Sequence, residues 1–486
     1  MAPNTDQAVE NSSLAAVPNR SLVLVTLMIG TSMAAIDSSI VNVSLPVIQR
    51  QFDVQLDAVA LVVTTYMITY TLFIPLTSWL KNRIGYYKLY MGSIALFTIG
   101  SGLCSLADSL TFLILARVVQ AIGGGAIAPT SLAILSETFP KEKRGSAIGW
   151  WGIGNVMGPA LGPTLGGILT QYLGWESIFY VNLPIGILTI AMAIKHLRFL
   201  KSMPVFKPPF DIRGYVLLAG FILLLQATII PFASRYGLLS WQFLSGLTIT
   251  SLVFYGYLRS SRRPDALLDL SVFKISAFTR PFIIVGIRSI ALFGGMFFLP
   301  FLLQGYLGYS EMESALLLLP NALIMLVTRP VSGKLADQGL IRNISLFGIV
   351  CLSVSFMLFA RIDVGTSSAW IVGCMILRGL GISFLIAPVS TALLNSVNAE
   401  QTPTATSLNT LMLQLGGSVG IAASSAVHTH LLAHFEAKVG DGRLAQHYAL
   451  QDGFLVTGGI ILLALIPAFK LPQRTRKRLK EKEVLG

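Results

Sequence analysis

Charge is what this sequence has least of. Asp, Glu, Lys and Arg make up 12% of its 486 residues, about half the share of an average soluble domain. That scarcity excludes a soluble enzyme and a disordered chain. Cysteine is scarce too. Cys104, Cys351 and Cys374 all fall in apolar runs, their number is odd and no CxxC occurs, which excludes a secreted disulfide scaffold. Long polar intervals are missing. The widest gap between apolar runs is about 20 residues, too short for a soluble domain of the usual 50 or more. A basic n-region is also missing from Met1–Arg20, so residues 1–20 are expected to form a short disordered tail and not a cleaved signal peptide.

Hydrophobicity is what remains. Apolar residues make up 54% of the chain and the mean hydropathy is +0.72. Fourteen apolar runs cover 21–45, 58–80, 86–106, 109–136, 144–172, 177–198, 211–233, 239–258, 278–305, 311–337, 342–361, 367–391, 403–432 and 451–471. A membrane-spanning helix needs about 20 such residues, whereas barrel strands alternate in segments of about 10. The fold class read from this is an all-α polytopic membrane protein with fourteen transmembrane helices. The net charge of +13 then reads as orientation and not as nucleic-acid binding. With a cytoplasmic N-terminus, 27 of the 35 Lys and Arg residues lie in inner loops and tails, Lys207 and Arg329 among them. Five (Arg50, Arg235, Arg361, Lys438, Arg443) lie outside, and Arg117, Arg288 and Arg378 lie within helices. That asymmetry puts both termini in the cytoplasm of a multi-pass cell (inner or plasma) membrane protein.

The chain also repeats itself. Ile127–Leu135, with Pro129, recurs as Ile386–Leu394, with Pro388. Pro75, Ser78, Leu80 and Asn82 match Pro330, Gly333, Leu335 and Asp337, and Gly158–Gly162 aligns with Gly416–Gly420. Each copy lies eight runs along, so both have one orientation. The expected organisation is a tail (1–20), a six-helix bundle (21–198), a linker with two inserted helices (199–262), a second six-helix bundle (263–472) and a basic tail (473–486). Two parallel halves of this kind suit a transporter whose site lies at their interface.

Asp37 is the only carboxylate deep in any run, and such a charge is costly enough to mark function by default. It lies about 12 Å from the outer end of its helix and Arg117 about 11 Å from the outer end of the fourth, at 1.5 Å per residue. Equal depth lets them pair, either as a fixed salt bridge or as part of an ion pathway. Gly154, Gly158, Gly162 and Gly166 form an i+4 stripe beside Pro159 and Pro163. A stripe of small residues lets another helix approach closely, either as plain packing or as a seam that seals and moves. Arg288 and Arg378 fall near mid-bilayer, each without a carboxylate in its own half at that depth. Snorkelling, bonds to helix carbonyls, pairing with Asp37 and an anion-attracting cavity wall all remain open for them.

Other signals are weaker. His428, His430 and His434 sit at the outer end of the thirteenth run, with His447 in the loop that follows. His430 and His434 have metal-pair spacing, but with no acidic or Cys ligand beside them they read as solvated loop histidines, some of them pH-sensitive. No metal site or cofactor is expected. Gly416–Gly420 matches GxSxG by letter only, since that motif needs a strand-to-helix elbow. Trp150 and Trp151 either stack on a ligand or pack. The tail around Arg474–Lys480 reads as a topology anchor that attracts anionic lipid.

Several of these segments carry a resemblance. Leu115–Gly125, which includes Arg117 and Gln120, resembles the helix-4 motif of the major facilitator superfamily. Gly154–Gly167 resembles the antiporter motif of helix 5. The run around Asp37 and the segment Phe179–Gly186 resemble the fourteen-helix drug/proton antiporters, the EmrB/QacA group. The resemblance spans about residues 21 to 470. It implies the major facilitator fold, proton coupling at Asp37 and Arg117, and control of exchange mode by Gly154, Gly158, Pro159, Gly162, Pro163, Gly166 and Gly167. The gate loop after helix 2 departs from the family: Asn82 replaces its acidic latch beside Arg83 and Gly85, whereas the second copy keeps Gly333 and Asp337. Helix 13 lacks the acidic residues of dication exporters.

The resulting expectation is proton-coupled efflux of small amphipathic compounds, neutral or weakly acidic, by alternating access, with protons and membrane lipid as the other partners. Arg288, Arg378, Trp151 and Gln120 are the candidate cavity residues. A dedicated exporter of an endogenous metabolite such as a siderophore is the near alternative; a membrane-embedded enzyme or a passive channel is a remote one. A periplasmic adaptor and an outer-membrane channel are possible partners, with Arg443 and the outer histidines within their reach.

Overall fold

The computed structural model describes residues 19–54, 56–203, 205, 209–228, 240–263 and 266–472. The expectations placed on the two tails, on Lys207 and Arg235, and on the side chains of Pro159 and Pro163 lie outside the described residues. Every described element is helical, and among the described residues there is no strand.

Helices α1 (Arg20–Gln51), α2 (Leu56–Phe73), α3 (Leu76–Ser105), α4 (Leu110–Thr138), α5 (Arg144–Leu173) and α6 (Ser177–His196) come first. Next are α7 (Ile212–Ala227) and α8 (Trp241–Ser260). They are followed by α9 (Ser276–Tyr306), α10 (Glu311–Asp337), α11 (Ile341–Phe359), α12 (Ser368–Asn395), α13 (Thr402–Val439) and α14 (Gly442–Leu462). Among the described residues nine helices are long and apolar enough to cross a membrane, or ten if α2 and α3 form one span bent by 66°. Helix α7 has only 16 residues. Hydrocarbon cannot satisfy backbone amides, so helices, which satisfy their own, are the form such runs take. Polar caps end several of them: Asn19 caps α1, Ser109 caps α4, and Ser310 with Glu313 closes a capping box on α10. Each such cap contributes about 1 kcal/mol.

The chain forms two compact units. One comprises Met1–Phe210 with Asn398–Thr410, the other Asp211–Val397 with Leu411–Gly486. The two inserted helices α7 and α8 thus fall in the second unit, and the first turns of α13 in the first.

In the first unit, α1 runs parallel to α5 along the glycine stripe. A methyl group at Gly158 would overlap the Ala35 carbonyl and one at Gly162 the Ser39 hydroxyl. Only glycine permits this separation. Ser39 uses it, donating to the Gly158 carbonyl oxygen at 2.8 Å. Gly154 and Gly166 face Met28 and Ile40 in the same way, whereas Gly167 points into open space. Four of the motif glycines are therefore packing positions and the fifth is not.

Four boundaries differ from the sequence reading. The break expected after residue 80 occurs at Ile74-Pro75, where proline cannot donate the next helical hydrogen bond. The chain then stays helical through the expected gate loop, and Gly85 kinks it with φ 79° and ψ 162°. Helix α13 continues to Val439, so the long outer loop after it shrinks to the two residues before α14. His447 consequently lies in α14 and not in a loop. Arg329, counted with the inner-loop cations, is buried within α10.

Candidate functional site

The first unit holds a buried polar cluster at Asp37. The helix-4 sequence places Arg117 and Gln120 one turn apart, and so on one face. Gly100 lets α3 approach the backbone of α4 at Gln120. Helix α6 breaks at Val181, between Ser177–Tyr180 and Asn182–His196, and Asn182 enters the cluster from the break.

Asp37 is fully buried and Arg117 is 1% exposed. Arg117 Nη1 donates to Asp37 Oδ2 at 2.8 Å and to Gln120 Oε1 at 2.6 Å. Asp37 Oδ1 accepts from Gln120 Nε2 at 2.8 Å and from Asn182 Nδ2 at 2.9 Å. Both amides also donate to Ser101 Oγ, at 3.1 and 2.9 Å. Ser101 Oγ in turn donates a hydrogen bond to the Phe179 carbonyl oxygen at 3.0 Å. The guanidinium lies over the Tyr66 ring, 3.9 Å from its centroid. One carboxylate thus has three donors, and its counter-cation is held by two further hydrogen bonds, to Gln120 and to the Val62 carbonyl oxygen, and by an aromatic face.

Apolar side chains enclose this cluster. Ile36, Ile40, Val62, Leu113, Ala116, Trp175 and Phe179 belong to one buried core. A buried pair is tolerated when its remaining hydrogen-bonding capacity is met, as here. Side chains of α1, α3, α4 and α6 are joined through this one cluster.

The sequence-predicted residues divide as follows. Asp37 and Arg117 come together, as the depth estimate suggested, and Gln120, a candidate cavity residue in the sequence, is bonded to both instead. Trp151 is buried and donates from Nε1 to Thr31 Oγ1 at 2.9 Å, so it joins α5 to α1. Trp150 is exposed. Asn82 is half-buried; Arg83 is exposed, with its guanidinium 5.6 Å from the Trp79 ring centroid. Beside them, still in the first unit, Thr77 and Ser407 hydroxyls are 2.7 Å apart and those of Ser78 and Thr404 3.1 Å. In the second unit Gly333 is buried and Asp337 half-buried.

The histidine reading needs correction. His430 and His434 are exposed, but His428 is buried among Phe297, Phe298 and Phe301. His447 is buried and stacks on Tyr306 at 4.7 Å. Both point inward because the helices run on past the expected loop. Arg443 is exposed and its guanidinium donates to the Tyr306 carbonyl oxygen at 3.3 Å.

Sequence reasoning did not single out Ser101, Asn182 or Tyr66. Asn182 had a signal, as the lone amide in Phe179–Gly186. Ser101 had none.

Comparison with known proteins decides the family. The family model described as Major Facilitator Superfamily matches residues 27–421. The chain belongs to the major facilitator superfamily. It is a multi-pass membrane transporter and not an enzyme. It is 29% identical over 419 residues to the multidrug export protein EmrB of Escherichia coli strain K12, covering 84% of this chain and 80% of that one. It is 28% identical over 459 residues to the riboflavin transporter RibZ of Clostridioides difficile, covering 94% and 98%. The crystal structure of the human organic anion transporter MFSD10 (TETRAN) superposes with a TM-score of 0.68 at 14% identity, over 93% of this chain and all of that one. At that identity the superposition speaks for the facilitator fold alone.

Proposed function

We propose that this superfamily member is a proton-coupled exporter of small amphipathic compounds, neutral or weakly acidic, in the cell (inner or plasma) membrane. The reading takes the chain as fourteen spans with both termini cytoplasmic, the bundles bounded at 21–198 and 263–472. Substrate and proton bind alternately while the two halves alternate access. The observation that carries it is Asp37: a fully buried carboxylate held by Arg117, Gln120 and Asn182. Asp37 exchanges the proton, Arg117 is its ion-pair partner, and the α1–α5 seam at Gly154–Gly166 transmits the change in packing. Names such as multidrug export protein among the relatives support export.

The test is flux in proteoliposomes. Export of a neutral dye should follow an imposed pH gradient, stop when the gradient is collapsed, and be lost in Asp37→Asn. Flux that ignores the gradient would refute the coupling.

A second reading, a dedicated exporter of an endogenous compound, is supported by the relative named a riboflavin transporter. A comparison of secreted compounds with and without the gene distinguishes the two: one missing compound supports the dedicated exporter, and broad dye sensitivity supports the first reading. An adaptor and outer-membrane channel belong to the proposal only if the purified chain fails to export alone.

A further inference from the structure

The second unit contains the counterpart of Asp37, and its charge is inverted. The glycine seam recurs between α13 and α9. Gly158 faces the Ala35 carbonyl, and its repeat partner Gly416 faces the Ser289 side chain and, farther off, the Gly286 carbonyl; Gly162 faces Ser39, and its partner Gly420 faces Ile290. Ala35 and Gly286 are 251 residues apart, and so are Ser39 and Ile290. The same register carries Asp37 onto Arg288.

Arg288 is 3% exposed. Its Nε is buried without a hydrogen-bond partner, and among the described residues the side chain has no hydrogen bond or ion pair. Arg378, on α12, is 7% exposed and its one partner is Asn321 Oδ1 at 3.3 Å, with its Nε also unsatisfied. The first unit resolves its buried cation with an internal carboxylate. Among the described residues the second unit supplies none to either arginine. A buried guanidinium without a counter-anion is costly, and its planar fork matches a carboxylate in two-point fashion.

We propose that Arg288 is an anion-docking residue which binds the carboxylate of a transported amphipath. This deepens the export reading by naming the chemical group the substrate carries, and it rests on that reading only for transport, not for binding. The asymmetry of the repeat then has a use: the first unit titrates a proton and the second holds the substrate anion.

The test uses the full chain in detergent and three matched probes: coumarin-3-carboxylate, its methyl ester, and its trimethylammonioethyl amide. Wild type should bind the carboxylate at least about tenfold more tightly than the ester, the size of one charge-assisted contact. Arg288→Gln should erase that preference while changing ester affinity less than about threefold, and Arg288→Lys should retain part of it. Without probe, Arg288→Gln should melt no lower than wild type, because it removes an unpaired buried charge.

Equal loss for carboxylate and ester, tighter binding of the ammonium probe, or a lower melting temperature with unchanged binding would each overturn the proposal. Arg288→Lys serves the same comparison if Arg288→Gln does not fold. Carboxylate binding through Arg288 without gradient-driven transport would leave the site standing and refute proton-coupled export. Gradient-driven export of the ester that Arg288→Gln leaves untouched, with no carboxylate preference, would do the reverse.

Discussion

Asp37→Asn separates coupling from transport, and its cost can be worked out from the contacts. The carboxylate accepts three hydrogen bonds through two oxygens, Arg117 on one and Gln120 with Asn182 on the other. An asparagine offers one accepting oxygen and one NH2. Turned toward Arg117, its oxygen keeps that bond, and its NH2 then faces the two amide donors. Asn182 can relieve the clash by flipping, since its Oδ1 is buried and has no hydrogen-bond partner among the described residues. The uncompensated term is the charge on Arg117, and removing one member of a buried ion pair costs about 3–5 kcal/mol. The expected result is a protein that inserts, melts earlier and exchanges substrate downhill, but cannot accumulate it against a gradient. Asp37→Glu, which keeps a titrating group, should retain part of the uphill flux. The assay is paired counterflow and pH-driven uptake in the same proteoliposomes. Undiminished uphill transport in Asp37→Asn would refute the assignment.

Other expectations follow from the same contacts. Arg117→Gln should destabilise by a similar amount, and the double variant Asp37→Asn/Arg117→Gln should melt above either single one, because it removes both charges; additive losses would mean that the two do not act as a pair. Asn182→Ala should cost about 1.5–3 kcal/mol, the range for a hydrogen bond to a charged group, and should slow gradient-driven flux more than downhill exchange. Gly158→Val should cost about 1–3 kcal/mol through overpacking against Ala35 and abolish transport, read as a lower melting temperature with normal membrane insertion. Cysteines introduced in the 195–203 segment should label only with permeant reagents and one at 440 with impermeant ones; the opposite pattern would reverse the orientation.

What the sequence made legible, and what it hid, follows from how rare each signal is. Asp37 and Arg117 stand out because a charge inside an apolar run is costly, and two rare residues at equal depth have few other partners. The glycine stripe was legible because a strict i+4 repeat of a poor helix former is improbable without a packing reason. Ser101 is the contrary case. Most hydroxyls in these helices bond their own helix carbonyls, as Ser93 does to Leu89 and Thr98 to Ile94, so a serine in a run says nothing about the helix it faces. Hydropathy also locates a run better than its ends. His428 and His447 were read as solvated because the runs fade near 432 and resume at 451, whereas the backbone bonds carry α13 to Val439 and begin α14 at Gly442. Arg329 failed in the same way, since a basic residue near a run's inner end looks like a loop cation even when the helix encloses it. The inverted pair Asp37 and Arg288 needed the structure for a further reason. Their segments share only Ile36 with Ile287 and Ser38 with Ser289, too little to fix an alignment; the register came from the glycines of α5 and α13 and the atoms they touch.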